Sequence, residues 1–237
     1  YRCTFCATHE LNPRFVQREP QSVVGEIVTH TSRSGVEDVV FYDDALFIRK
    51  QQHIEVILDT IIEAGTSLRF HTPNGLFAKM IDEPLAEKLV AATFRTIRLS
   101  FETSNEGRRK DMSYKVSNDA FLRAMDCLER AGFPRRNVEV YTMMGLPGQS
   151  EQEVYDSIRF VHNAGAHVSL ASFTPIPGTV DFQRSVERYG IDPGADPLLW
   201  NNTIYPLQNH GMTYEDYNAI RAYAKQLNQQ PSMEVYG

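Results

Sequence analysis

The chain has 237 residues, 24 Lys plus Arg against 30 Asp plus Glu, and a formal net charge of −6. With 42% hydrophobic and 23% charged residues it has the composition of a folded globular protein, which excludes disordered and collagen-like chains. The mild acidity argues against broad electrostatic capture of nucleic acid or anionic lipid. No apolar run approaches the roughly eighteen residues that cross a bilayer, and nothing at the start reads as a charged-then-apolar signal, so the expected compartment is cytoplasmic.

Taken in chain order, the sequence opens on Tyr1-Arg2-Cys3-Thr4-Phe5-Cys6, with no Met and no polar leader, which reads as a cut inside a longer protein. The third cysteine, Cys127, stands alone, and so sparse and odd a count argues against a disulfide framework. Pro13 and Pro20 predict a loop. Helical periodicity then alternates with short β-rich runs: helices over 21–32, 51–64, 83–93, 118–131, 151–164 and 180–189, strands over 38–41, 68–72, 96–100, 137–143 and 167–173. Ala64-Gly65, Ala131-Gly132 and Ala164-Gly165 are helix stops. Ser150-x-x-Glu153 reads as a capping box, and Asp82 followed by Pro84 starts another helix. The basic run Arg108-Arg109-Lys110 reads as a solvated loop. Cys127, between Met125 and Leu128, reads as a small buried hydrophobe. After Gly190 the pattern changes to an extended loop over 191–211 that holds Trp200. A last helix follows from near Thr213 to Asn228, then a tail. The expected division is a core over 1–190 and an extension over 191–237.

A repeating βα unit requires a parallel sheet with right-handed crossovers, closed toward a barrel or opened as a doubly wound sheet, and either form places sites at the C-terminal strand ends. The residues that follow the strands are therefore the candidates: Tyr42-Asp43-Asp44, Pro73-Asn74-Gly75, Phe101-Glu102-Thr103, Met144 to Gly148, and Thr174-Pro175-Ile176-Pro177-Gly178. Cys3-x-x-Cys6 by itself is compatible with a zinc knuckle, a redox dithiol, an iron–sulfur ligand pair or two unpaired thiols. A zinc site needs two further ligands, and a redox dithiol should follow a strand and open a helix.

With these motifs in this order, the sequence resembles the radical S-adenosylmethionine superfamily, whose signature is C-x-x-x-C-x-x-C with an aromatic residue before the last Cys. Cys3, Phe5 and Cys6 match its second half, and the first Cys falls two residues ahead of Tyr1, outside the chain. The resemblance covers roughly residues 1–190. It implies an α/β fold, a partial (βα)6 TIM-like barrel, that binds a 4Fe-4S cluster and S-adenosylmethionine. In that family three thiolates ligate three irons, the fourth iron binds the cosubstrate, and electron transfer yields a 5′-deoxyadenosyl radical. Cys3 and Cys6 are thereby the expected metal ligands.

The resemblance also implies roles at the strand ends. Tyr42 and Asp43 or Asp44 match the segment facing the cosubstrate ammonium, in a form similar to the subgroup that often carries a cobalamin domain, so cobalamin held by a domain outside this chain is an expected cofactor. Ser100 and Glu102 match the ribose-contacting segment, Lys115 the cation on the cosubstrate carboxylate, and Arg123 competes for that role. Met143, Gly145 and Pro175 match the adenine-flanking segments, and Phe5 the aromatic position of the cluster loop. His71 and Asn74 are expected to line the substrate pocket. The bland alternatives are a helix cap for the Asp pair, a turn at Asn74-Gly75, a hydrogen-bonded structural histidine, an ion pair of Glu102 with the basic run, and packing for Met143-Met144 and Trp200. An electron donor such as flavodoxin or ferredoxin is implied, and the substrate, small or macromolecular, is not specified. The rival class is a non-catalytic βα barrel with a structural zinc or iron–sulfur site; a hydrolase using Asp43, Asp44 and Glu102 lacks a nucleophile–base pair.

Overall fold

The structure, a computed structural model, describes residues 3–43, 45–112, 116–207 and 210–230, so Asp44 and Lys115 lie outside the described residues. The helices are α1 (Thr8–Leu11), α2 (Pro20–Ser34), α3 (Ile54–Glu63), α4 (Glu83–Ala91), α5 (Glu106–Met112), α6 (Asn118–Arg130), α7 (Glu151–Asn163), α8 (Val180–Tyr189) and α9 (Tyr214–Asn228). The strands are β1 (Asp38–Val40), β2 (Arg69–His71), β3 (Leu76–Phe77), β4 (Phe94–Glu102), β5 (Val138–Met144) and β6 (His167–Ser172). They form one six-stranded sheet in the order β1-β2-β4-β5-β6, with β3 paired on β4. The pairings of β1 with β2, β2 with β4 and β3 with β4 are parallel. This is the α/β architecture expected from the βα repeat, as an open sheet. No described helix is long and apolar enough to cross a membrane.

Local chemistry explains the elements. The Asp82, Ser117, Ser150 and Thr179 side chains each accept the N–H of the third residue of the helix they precede, a cap worth about 1 kcal/mol. The Ala-Gly stops hold, with Gly65, Gly132 and Gly165 at φ of 57, 94 and 85°. Between β2 and β3 the edge breaks. His71 pairs with Thr96 and Leu76 with Leu99, and over the gap the Thr72 hydroxyl accepts the Arg98 N–H at 3.2 Å.

Three expectations are corrected. Pro20 does not extend a loop but opens α2 at its first turn, where its missing N–H is an orphan in any case. Thr8–Leu11 is a short helix. The basic run is not a solvated loop but lies in α5, started by Asn105, whose side chain accepts the Arg108 N–H at 3.0 Å, and Arg109 is buried.

The chain resolves into two compact units, each assembled from separated stretches. The first comprises Tyr1–Phe15, Phe101–Lys115 and Tyr141–Gly237, so the segment after residue 190 shares a unit with the Cys3-x-x-Cys6 motif. Its core includes Met112, Leu146, Phe173 and Leu207, with Phe5, Met143, Tyr189 and Ile191 packed against them. The second comprises Val16–Ser100 and Val116–Val140. There Phe41, Phe70 and Phe94 stack with centroids 5.5 to 6.1 Å apart. The same unit holds the buried apolar faces of α3, α4 and α6, including Cys127. Each fully buried Leu, Ile or Phe in these faces contributes about 1.5–3 kcal/mol.

Candidate functional site

In the first unit the Cys3-x-x-Cys6 segment is a tight turn in which the Cys6 N–H donates to the Cys3 carbonyl at 3.1 Å. Cys3 is buried and Cys6 half-buried. The Cys6 sulfur lies 3.0 Å from the Thr8 hydroxyl and accepts the Thr8 N–H at 3.4 Å. The residue between the thiols that fastens the turn is Thr4. Its N–H donates to the Met112 carbonyl at 3.2 Å, its carbonyl accepts the Asp181 N–H at 2.9 Å, and its hydroxyl donates to the Asp181 carboxylate at 2.7 Å. Asp181, only 3% exposed, is paired in turn with Arg184, which forks onto Asp111 at 2.8 and 3.0 Å.

At the end of β4, Glu102 is half-buried and takes a φ of 62°. The Thr103 N–H reaches back to the Phe101 carbonyl at 2.8 Å, making a three-residue turn centred on the carboxylate-bearing residue. In the basic run, Arg108 forks onto Glu153, and Arg109 donates to the Thr103 carbonyl at 2.8 Å.

The loop after β5 is built from backbone and one amide. Gly145 and Gly148 have φ of 84 and 71°. The Gln149 side chain, 4% exposed, accepts the Leu146 N–H at 3.2 Å and donates to the Met143 carbonyl at 3.2 Å. Arg108 donates to the Pro147 carbonyl at 3.2 Å, and the Gly148 N–H donates to the Tyr189 hydroxyl at 2.6 Å. A Cβ on Gly145 would overlap the Tyr217 hydroxyl and sit 2.8 Å from its Cζ. Tyr217 is 2% exposed and stacks on Tyr205 at 4.0 Å. Burial pushes its phenol up to about 12, with Tyr205 and Tyr189 adding to the shift. Met144 is fully buried and Met143 packs against the core of this unit. Pro175 is buried beyond β6.

In the second unit the expected residues are placed differently. Tyr42 is 73% exposed and Asp43 exposed, and both line a cleft of about 430 Å³ with Arg18, Glu26, His30 and His53. Both His71 ring nitrogens are engaged, Nε2 with Asp38 and Nδ1 with the Thr96 hydroxyl, each at 2.9 Å. The Arg69 fork, at 2.7 and 2.6 Å, and His71 hold the Asp38 carboxyl well below the usual range. His71 thus has both ring nitrogens engaged within the sheet. Asn74 donates to the Tyr42 carbonyl at 2.7 Å, and the Ser100 hydroxyl to the Gly75 carbonyl at 2.9 Å. Arg123 is exposed on α6.

Sequence reading missed Thr4, Asp181, Arg109, Gln149 and His53. Thr4 and Gln149 stand inside the quoted motifs and were legible as polar residues in them. His53 is 6% exposed with neither ring nitrogen bonded, and no spacing in the sequence marks it.

Two soft sulfurs share one turn, a donor pair that fits an iron–sulfur cluster and that zinc would also accept.

The Radical SAM superfamily model matches residues 1–161, about two thirds of the chain. The ribosomal protein uS12 methylthiotransferase RimO of Streptomyces coelicolor is 24% identical over 172 residues, which is 69% of this chain and 34% of that protein. The radical S-adenosylmethionine methyltransferase TsrM of Kitasatospora setae, solved with cobalamin and a 4Fe-4S cluster bound, superposes with a TM-score of 0.72 at 17% identity, covering 96% of this chain and 50% of that one. The radical SAM coproporphyrinogen III oxidase HemN of Escherichia coli gives a TM-score of 0.57 at 12% identity over 96% of this chain and 50% of that one. The chain thus spans between a third and a half of the length of these relatives, and the structural likenesses speak for the fold. Taken with the Cys3-Thr4-Phe5-Cys6 turn and the strand-end loops, the match over residues 1–161 establishes that the chain belongs to the radical S-adenosylmethionine superfamily.

Proposed function

We propose that this chain is the core of a radical S-adenosylmethionine enzyme in which Cys3 and Cys6 hold a 4Fe-4S cluster and Glu102, with the backbone of 143–148, holds S-adenosylmethionine. The observation that carries the reading is that the cysteine turn, the Glu102 turn and the two-glycine loop all belong to the first compact unit. Each of the three is tied down by buried polar side chains. The cluster, when bound, supplies the electron that splits S-adenosylmethionine into methionine and a 5′-deoxyadenosyl radical.

The chain's own residues bind and orient. Thr4 and Asp181 keep both sulfurs on one turn. The Glu102 carboxylate accepts hydrogen bonds from the ribose hydroxyls, as acidic residues do in other nucleotide sites. The positive φ values of Gly145 and Gly148 shape a loop without side chains at these positions, which lets its backbone approach the purine closely. Pro175 adds an apolar wall. The reaction class we favour is hydrogen abstraction or methyl or methylthio transfer, supported by the likeness to RimO and TsrM. A flavodoxin or ferredoxin serves as donor.

The test is anaerobic reconstitution with iron and sulfide of the chain extended to supply a Cys two positions ahead of Tyr1. Cys3→Ala and Cys6→Ala should each strip most of the iron and the broad absorbance near 400 nm, whereas Cys127→Ala should leave both. Equal iron in all three variants would overturn the ligand assignment. A full cluster that yields no 5′-deoxyadenosine with dithionite and cosubstrate in excess would overturn the enzymatic one.

A further inference from the structure

Glu102 stands in a conformation its residue type disfavours. A non-glycine residue at a φ of 62°, closed by the Thr103 N–H on the Phe101 carbonyl, is the rarer, positive-φ form of the three-residue turn. Such a residue persists only where the surroundings over-determine it. Asn, Asp or Gly would sit there more easily, yet the position carries the longer carboxylate.

What over-determines the turn acts on its two flanks. The Phe101 ring is fully buried and stacked on Phe160 at 5.3 Å. Thr103 is fully buried, its hydroxyl 3.1 Å from that of Ser157 on α7 and donating to Glu153 at 3.3 Å. Arg109 joins the flanks: its guanidinium lies 5.2 Å over the Phe101 ring and donates to the Thr103 carbonyl. Arg109 thus touches the residues before and after Glu102, and its guanidinium also lies 3.7 Å from the Glu106 carboxylate one turn back on α5. At 3% exposure this guanidinium has surrendered nearly all its hydration, a cost that a Leu or Met at the same helix position would avoid. The planar fork is suited to a place where one group must hold a carbonyl and cover a ring at once.

We propose that Arg109 is a positioning residue for the cosubstrate: by clamping Phe101 and Thr103 it holds the Glu102 turn in its left-handed form, so that the carboxylate meets the ribose of S-adenosylmethionine without an ordering cost at binding. This rests on the reading of Glu102 as a ribose contact and adds to it the device that fixes that contact.

The experiment is a double-substitution cycle on the reconstituted protein, with S-adenosylmethionine as the titrant in calorimetry and with iron content and thermal melting recorded in parallel. Arg109→Met, of similar bulk, should weaken binding about tenfold at normal iron. Arg109→Lys, which keeps the charge but loses the fork, should weaken it nearly as much. In a Glu102→Ala background, where the carboxylate is gone, Arg109→Met should weaken binding no further. A purely structural Arg109 would give the same loss in both backgrounds, and that result overturns the positioning role. Should Arg109→Met fail to fold, the Arg109→Lys pair of measurements decides the matter alone. If Glu102→Ala binds S-adenosylmethionine as tightly as the parent, the ribose contact itself is wrong and the proposal falls with it. If Glu102→Ala weakens binding but Arg109 shows no coupling to it, only the proposal falls.

Discussion

The two units use their strand-end polar residues for opposite purposes. In the second, His71, Asn74 and Ser100 put their side chains into closing the sheet, bonding Asp38 and Thr96, the Tyr42 carbonyl and the Gly75 carbonyl. Tyr42 and Asp43 there stand open to solvent. In the first, the polar side chains hold backbone in conformations that an unassisted strand would not take: the Cys turn through Asp181, Glu102 through Arg109 and Ser157, the glycine loop through Gln149. Polar atoms at the end of a parallel strand therefore do not mark function by type or position alone. What differs between the two units is whether such atoms complete the sheet or support a costly backbone shape.

That contrast can be broken in descending order of effect. Asp181→Ala should be the most damaging, because it strands the Thr4 hydroxyl and removes a carboxylate from Arg184. Loss of a buried, charge-assisted partner costs about 3 kcal/mol or more, and the urea midpoint should fall together with iron retention. An unchanged midpoint would show that the Cys turn needs no anchor. Next, Glu102→Ala should weaken S-adenosylmethionine binding by roughly ten- to a hundred-fold, the worth of one charge-assisted hydrogen bond, at normal iron content. Glu102→Gly should melt above Glu102→Ala by a few degrees, because glycine accepts the positive φ. If the two melt alike, the turn is not strained.

A pH titration separates the units further. Because burial raises the Tyr217 phenol to about 12 in the folded protein against about 10 when unfolded, its contribution is intact below pH 10. It is lost as the pH climbs through 12, as the unfolded state gives up a proton that the folded state keeps. Tyr217→Phe should flatten the alkaline fall in the guanidinium midpoint between pH 10 and 12, and an unaltered slope would show that another group governs it. The smallest effect belongs to the second unit: Asp43→Asn should change the unfolding free energy by less than about 0.5 kcal/mol in a guanidinium titration, as exposed positions do.

Much of this was legible in the sequence because it rests on local periodicity. The helix over 180–189 was read to the residue, and its neighbours to within a few, since apolar spacing, caps and glycines are short-range signals. β4 runs two residues further at each end than expected, from Phe94 to Glu102, because pairing with β2 begins at Phe94 and only the fold supplies that partner. α5 escaped because Gly107 and a charged run masked a short helix whose buried residues are Arg109 and Met112. At the site, Cys3, Cys6, Glu102 and Gly145 were visible as motif residues. Arg109 and Asp181 were not, since Thr4 and Asp181 are 177 positions apart and nothing in the spacing announces their bond. The motif names the groups, whereas long-range contacts name what holds them.

The Tyr217 hydroxyl fills the space that a side chain at residue 145 would need. The two positions therefore constrain one another as a matched pair, although one lies in a loop after a central strand and the other on the last helix. Glycine at 145 is therefore held twice over, by the Tyr217 hydroxyl and by its own φ of 84°, and shrinking 217 lifts only the first constraint while it opens a void beside Tyr205. A library that randomises both positions together should accordingly return glycine at 145 in nearly every folded member, whatever stands at 217.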